Sequence, residues 1–198
     1  QTLYTFERRH QQKVVLFDAN QVVDLLAAPE VNDYLSIMLA SFTKINSLTV
    51  PIRLRPGIWR RQRVNDLDVD SLISYAEQID PEQRFWAYRR IGDACLFLAG
   101  IFPEHIETLQ RYPHSGQPRL RLRSSLLQGL EDYESYGQAF YRLAAQHRMA
   151  KVQDLEGVLA ELSKYFVLAE KPLAFLAERY LALHKHQLFG AETLSPGD

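Results

Sequence analysis

Several features that identify common protein classes are missing from this chain of 198 residues. It contains one cysteine, Cys95, which excludes an internal disulfide and a cysteine-rich zinc site and fits a reducing compartment. No uncharged apolar run reaches the roughly 18 residues that a transmembrane helix needs. The basic N-terminal residues are not followed by the apolar segment of a signal peptide. We therefore expect a cytoplasmic protein without a membrane span, and we leave open whether residues precede Gln1 in the native chain.

Motifs for catalysis, cofactor binding and metal binding are also missing. The sequence has no G-x-S-x-G elbow, no P-loop, no G-x-G-x-x-G turn and no H-E-x-x-H pair. His184 and His186 are two residues apart, a spacing that separates two rings on a helix instead of directing both at one metal. We therefore expect no metal and no cofactor, and the sequence gives an enzymatic function little support.

The composition predicts a single folded domain. Hydrophobic residues make up 46% of the chain, which is ample for a core, and the net charge is −1. A nearly neutral chain argues against the class of globally basic nucleic-acid-binding proteins. We expect one helical domain over residues 1–189 and a flexible C-terminal tail over 190–198.

The spacing of apolar residues predicts an all-α fold, a helical bundle of about seven helices. Proline should separate the first two helices at Pro29 and the last two at Pro172. Two β-prone segments, residues 14–17 and 48–54, allow the alternative of a minor two-stranded β-ribbon in which they pair with each other. The predicted helices cover residues 20–28, 30–45, 69–79, 82–102, 124–147, 154–168 and 172–187.

One acid lies inside the most apolar helical segment. Asp93 is preceded by Gly92, and Gly100 follows on nearly the same side of the helix. A buried carboxylate needs a cation or several hydrogen-bond donors, and glycines in a helix interior indicate close approach of another helix or a ligand. The expected counterpart is the helix that contains Tyr133, Gly137, Phe140 and Ala144 on one face, with Tyr136 beside them.

This constellation has two interpretations. In the first, Asp93 belongs to a buried network of tyrosine and arginine side chains that fixes how the helices pack. In the second, a small-ligand pocket lies between helices 84–102 and 126–147. The residues predicted to bind the ligand are Arg89, Asp93, Tyr133 and Tyr136. Cys95 lies in the same apolar segment and is expected to be an unreactive core thiol.

The segment that begins at Gly92 also resembles a known group of proteins. The pattern Gly-Asp-x-x-Leu-Phe-x-x-Gly-x-Phe-Pro at residues 92–103 is followed by Asp132-Tyr133 and by residues 137–141. Together they resemble an uncharacterised bacterial family of all-helical hypothetical proteins, over roughly residues 84–147. The resemblance implies a helical fold and carries no assigned activity.

Arginines cluster in two short segments that contain no acid. The first surrounds a Pro56-Gly57 turn and Trp59, and the second alternates with leucine. Guanidinium groups bind carboxylates and phosphates through paired hydrogen bonds. One interpretation of the first segment is an anion-binding site of Arg53, Arg55, Arg60, Arg61 and Arg63, and the second segment consists of Arg119, Arg121 and Arg123. The alternative that we expect is pairing of the first segment with Asp66, Asp68 and Asp70 of the same chain.

Three functions remain open at this stage. The first is a non-catalytic helical domain that acts through protein contacts, either as a homo-oligomer or with an acidic protein partner. The second is a small-molecule binding or sensory module with its pocket at Asp93, and the third is an enzyme of unrecognised type. Nucleic acid is not an expected partner, because the net charge is −1.

Overall fold

The computed structural model describes residues 4–9, 12–43, 47–55, 57–103, 106, 127 and 129–181. Four strands occur in this part of the chain: β1 (Tyr4–Arg9), β2 (Gln12–Asp18), β3 (Ser47–Arg55) and β4 (Ile58–Asn65). A 3₁₀ turn covers Pro81–Gln83, and a π-helical turn covers Ala177–Leu181. The α-helices are α1 (Ala19–Leu26), α2 (Pro29–Ser41), α3 (Val69–Gln78), α4 (Phe85–Ile101), α5 (Leu130–Gln146), α6 (Arg148–Val152), α7 (Glu156–Lys164) and α8 (Phe166–Leu176).

The strands form two separate antiparallel hairpins. β1 pairs with β2 from Tyr4↔Asp18 to Arg9↔Gln12, and β3 pairs with β4 from Ser47↔Asn65 to Arg55↔Ile58. The predicted pairing of segment 14–17 with segment 48–54 is therefore wrong, since each segment pairs with its neighbour in the chain. Strands joined by a very short turn lose little conformational entropy on pairing, which favours the local hairpins.

Three of the helices begin at residues with a clear physical signal. Pro29 occupies the first turn of α2, where its missing N–H is not needed. The Asp68 side chain accepts a hydrogen bond from the Ser71 backbone N–H (3.2 Å) at the start of α3. The Asp132 side chain accepts one from the Gly129 N–H (3.1 Å) at the start of α5.

α4 is the central helix of the bundle. Its residues are buried on nearly all sides, from Phe85 to Ile101, and it packs against α3, α5 and α8. A stripe of residues along α2 faces this core. Val31, Leu35, Met38 and Phe42 are buried, and Tyr34 and Leu39 pack against them. The prediction of an all-α helical bundle is confirmed, with the two hairpins added to it.

Glycines allow the central helices to approach closely. A Cβ atom on Gly92 would lie 2.6 Å from the Cδ1 atom of Tyr141 on α5, and one on Gly100 would lie 2.7 Å from the Cβ atom of Leu173 on α8. A Cβ atom on Gly137 would overlap the Phe166 ring. The close approach predicted at Gly92 and Gly100 is therefore an approach of neighbouring helices.

Two predicted helix boundaries are wrong. Pro172 lies inside α8, and the chain breaks instead at Tyr165, between α7 and α8. Proline removes one intrahelical hydrogen bond, but the buried side chains of Phe166, Ala169 and Leu173 hold the helix against the core. α5 begins at Leu130 instead of residue 124, because Gly129 is extended, with φ −142° and ψ 173°. The predicted 190–198 tail and the arginines at positions 119, 121 and 123 lie outside the described residues.

Candidate functional site

Asp93 lies at the junction of three helices. It is 5% exposed on α4, and its Oδ1 atom accepts hydrogen bonds from two tyrosine hydroxyls. The Tyr34 hydroxyl on α2 donates at 2.6 Å, and the Tyr141 hydroxyl on α5 donates at 2.9 Å. The two rings meet edge to face, with their centroids 6.4 Å apart. The carboxyl group therefore connects α2, α4 and α5 at a single oxygen atom.

Burial dominates the electrostatics of this group. It raises the pKa of Asp93, while the Tyr34 hydrogen bond, the charge of Arg89 and the Tyr141 hydrogen bond lower it in part. Burial and the neighbouring Asp93 charge also raise the pKa values of Tyr34 and Tyr141, so both hydroxyls keep their protons and remain donors. The arrangement suits a permanently hydrogen-bonded carboxyl group that has little contact with solvent.

Arg90 forms a second polar junction on α4. Its guanidinium lies 3.2 Å from the Asp66 carboxylate and donates a hydrogen bond to Ser41 Oγ (2.7 Å). Its guanidinium carbon is also 3.8 Å from the centroid of the Phe42 ring. Both members of the Arg90–Asp66 ion pair are buried. Arg90 thus joins the end of α2 and the turn after β4 to the central helix.

The structure places the four residues predicted to bind a ligand on two neighbouring helices, Arg89 and Asp93 on α4 and Tyr133 and Tyr136 on α5. Arg89 is half-buried, its guanidinium is 5.9 Å from the Phe85 ring centroid, and its buried Nε has no hydrogen-bond partner. Tyr133 is buried, and Tyr136 is half-buried with its ring 6.2 Å from that of Phe140. The ligand-binding role of Arg89, Asp93, Tyr133 and Tyr136 stays a prediction.

The tyrosine partners of Asp93 were predicted by type but not by position. Tyr141 is four residues after Gly137 and eight after Tyr133, so it shares their helix face, and this spacing was a usable signal. Gly92 leaves the space that the Tyr141 ring fills beside Asp93. Tyr34 is 59 residues from Asp93 in the chain, and its place in the α2 stripe does not indicate which helix it faces.

A second buried acid lies on α8. Glu170 is 8% exposed, and its Oε1 atom has no hydrogen-bond partner. Burial raises its pKa to about 8, and the negative charge of Glu134 adds to this effect. Cys95 is buried nearby, and burial together with the charge of Glu170 raises the pKa of its thiol. Its predicted place in the core is confirmed, and its low reactivity stays a prediction.

The tentative anion-binding arginines belong to the β3–β4 hairpin, which we call the arginine ribbon. Arg53 and Arg55 lie in β3, and Arg60, Arg61 and Arg63 lie in β4. Gly57 lies in the turn between the strands with a φ of 82°, in the left-handed region that glycine adopts without steric cost. The predicted turn with arginines on both arms is therefore present.

Two of the three acids expected to pair with the ribbon have other contacts. Asp66 forms its ion pair with Arg90, and Asp68 accepts the N-terminal hydrogen bond of α3. The expected pairing with the ribbon is therefore wrong for Asp66 and Asp68. The reason is position, because the turn after β4 directs Asp66 at α4 and Asp68 at the start of α3.

Within the described ranges, no group of three or more histidine, cysteine, aspartate or glutamate side chains is arranged to hold a metal ion. In the same ranges, no helix combines the length and the apolar character needed to cross a membrane. No protein-family model, curated protein or solved structure matches this chain significantly. The resemblance to a family of helical hypothetical proteins therefore stays a prediction.

Proposed function

We propose that this protein is a non-catalytic binding domain that contacts an acidic segment of a partner protein through the arginine ribbon. The observation that carries the proposal is the register of β3 and β4, in which Arg53 is opposite Trp59 and Arg61 is opposite Pro51. Residues opposite each other in an antiparallel pair share a face, and alternate residues along a strand return to it. Arg53, Arg61 and Arg63 therefore occupy positions on one face of the ribbon, which we call the arginine face.

The arginine face is on the side of the ribbon away from the core. Thr49 and Arg61 belong to it by register and are exposed, whereas Val64 belongs to the opposite face and is buried. Arg61 has no ion pair within the described part of the chain. An exposed guanidinium without an internal counterion is available to an external carboxylate.

The spacing of the arginine face favours an extended acidic peptide. Alternate residues of a strand are about 6.6 Å apart, and alternate residues of an extended peptide have the same separation. Carboxylates at every second position of such a peptide match Arg61 and Arg63 in spacing and charge. A net charge of −1 for the whole chain favours this partner over nucleic acid, which is held by a large excess of basic side chains.

The buried polar groups support a non-catalytic role. A general base or a nucleophile has to reach its substrate, but Asp93 and Cys95 are enclosed by the core of the bundle. The hydroxyls that meet Asp93 are donors with raised pKa values, which suits a structural hydrogen bond. We place the protein in the cytoplasm because its one cysteine, Cys95, is a free thiol.

The test measures binding of a short labelled peptide of alternating glutamate and serine, with a glutamine–serine peptide as the neutral control. The triple variant Arg53→Ser, Arg61→Ser and Arg63→Ser should weaken binding by about 10–100-fold, since each exposed ion pair contributes about 0.5–1 kcal/mol. A matched variant, Arg142→Ser, Arg148→Ser and Arg179→Ser, makes the same change in net charge on helical surfaces. It should bind the peptide as the wild type does, within about twofold.

Three results would overturn the proposal. They are no binding of the acidic peptide at low salt, an equal loss in the matched variant, or tighter binding of single-stranded DNA or of phosphatidylserine vesicles than of the peptide. Sedimentation of the wild type tests the separate proposal of a homo-oligomer, which a monomer at high concentration would contradict.

A further inference from the structure

A pocket of about 460 Å³ opens where α1 meets the junction of α7 and α8. It lies on helices remote in sequence from the arginine ribbon, and its volume is in the range of small-molecule sites. The described residues that line it are Gln21, Asp24, Leu25, Glu161, Tyr165 and Leu168. We refer to it as the α1–α8 pocket.

The pocket has an apolar base and an acidic rim. Leu25 is buried and Leu168 is half-buried, whereas Asp24 and Glu161 are exposed. Among the described residues, the lining contains two carboxylates and no lysine or arginine. This combination favours a ligand that has an apolar body and a positively charged head group.

A lysine of the chain places its ammonium group near the ring of Tyr165, which lines the pocket. The Lys164 ammonium nitrogen lies 4.5 Å from the centroid of the Tyr165 ring. Interaction with Tyr165 raises the pKa of Lys164, and the charge of Glu161 contributes in the same direction. Lys164 is exposed on the surface of α7, so its side chain can leave the ring when another cation arrives.

We propose that the α1–α8 pocket binds a small organic amine in its protonated form. The apolar part of the amine packs against Leu25 and Leu168, and the ammonium group lies between Asp24 and Glu161 over the Tyr165 ring. A bare metal ion does not suit the site, because its base is apolar and its two carboxylates are exposed. A neutral ligand of the same shape gains the apolar contacts but not the attraction of the carboxylates.

The experiment compares 2-phenylethylamine with 2-phenylethanol, its neutral counterpart, by two-dimensional NMR titration of the whole chain. The amine should bind at least about fivefold more tightly than the alcohol, which corresponds to one exposed charge interaction of about 1 kcal/mol. The shifted resonances should belong to residues 21–25 and 161–168. Equal affinities, or shifts confined to other residues, would overturn the proposal.

Two double variants distinguish the carboxylates of the pocket from a general effect of net charge. Asp24→Asn with Glu161→Gln should reduce amine affinity to that of the alcohol, and Asp33→Asn with Glu77→Gln should leave it unchanged. All four acids are exposed, so both double variants are expected to fold. Lys164→Met removes the competing cation and should increase amine affinity about two- to threefold. Equal losses in the two double variants would contradict the site, because they would show an effect of net charge alone.

Discussion

Asp93 and Glu170 are two buried acids on neighbouring helices, and they differ in their hydrogen-bond partners. Asp93 has two tyrosine hydroxyls on one oxygen, at 2.6 and 2.9 Å, whereas Glu170 has an oxygen without any hydrogen-bond partner. Burial raises both pKa values, but only Asp93 has donors and nearby arginine charge to oppose the rise. A buried carboxyl group is stabilised by its partners and not by burial, so the two positions should respond oppositely to substitution.

The largest effect is expected from Asp93→Ala. The substitution leaves the Tyr34 and Tyr141 hydroxyls buried without an acceptor, and it should reduce the free energy of unfolding by about 2–4 kcal/mol. Chemical denaturation monitored by circular dichroism measures this change. Asp93→Asn keeps an acceptor oxygen and should lose less. An Asp93→Ala protein as stable as the wild type would contradict the structural role of the network.

Gly92→Ala should disturb the same network through packing. The new Cβ atom would lie 2.6 Å from the Tyr141 ring, which must shift away from Asp93. Overpacking of this kind costs about 1–3 kcal/mol. Gly157→Ala on α7 is the matched control, since a Cβ atom there meets nothing within 4 Å, and it should gain about 0.5–1 kcal/mol. Equal effects at the two glycines would show that helix propensity, not the contact with Tyr141, decides the outcome.

Glu170→Gln should stabilise the protein, and the gain should depend on pH. The folded-state pKa of Glu170 is about 8 and its ordinary value is 4.5, so the folded state binds more protons between these values. Wild-type stability contributed by this group is therefore present below about pH 4.5 and is lost as the pH rises towards 8, by at most about 1.4 kcal/mol per pH unit. The variant lacks this loss and should be more stable by about 1–2 kcal/mol at pH 7.

The measurement is the difference in unfolding free energy between wild type and Glu170→Gln across the pH range from 4 to 9. The difference is needed because burial also raises the pKa of Asp93, which affects both proteins alike. A difference that does not change with pH would mean that Glu170 is ionised in the folded protein.

The smallest effect is expected from Tyr34→Phe. It removes one of the two donors to Asp93 and keeps the ring, so the expected loss is about 0.5–1.5 kcal/mol. Because the Tyr34 hydrogen bond lowers the pKa of Asp93, that pKa should rise further, which a pH series of unfolding measurements detects. Tyr141→Phe serves as the companion variant. Additive losses in the double variant would contradict a shared acceptor.

The sequence predicted the chemistry of this core better than its geometry. Burying a carboxylate without hydrogen-bond donors is costly, so an acid inside an apolar helix predicts donors beside it. This argument needs only the local sequence, and it identified Asp93. The donors themselves are 59 and 48 residues away in the chain, and helix periodicity does not specify which faces of distant helices meet. Glu170 gave no signal, because it lies in the break predicted between helices 154–168 and 172–187, whereas the structure places it in the interior of α8.

The ribbon illustrates the same limit. A short turn at Pro56-Gly57 is readable from the sequence, and the hairpin around it is present. The assignment of Asp66 as a partner of the ribbon failed because Arg90, 24 residues further along the chain, reaches it from α4. Opposite charges that are close in the sequence do not predict an ion pair when the chain turns between them, as it does after β4.

Arg90 binds a residue on each side of the ribbon in the chain: Ser41 before it and Asp66 after it. The segment that contains the ribbon therefore leaves the helical body and returns to it at one guanidinium group. Fixing both ends of a chain segment at one place removes much of its orientational freedom. Arg90 therefore joins both ends of the ribbon segment to α4, in addition to the packing of Val64 in the core. Replacing Arg90 should change the direction in which the hairpin points while its strands stay paired.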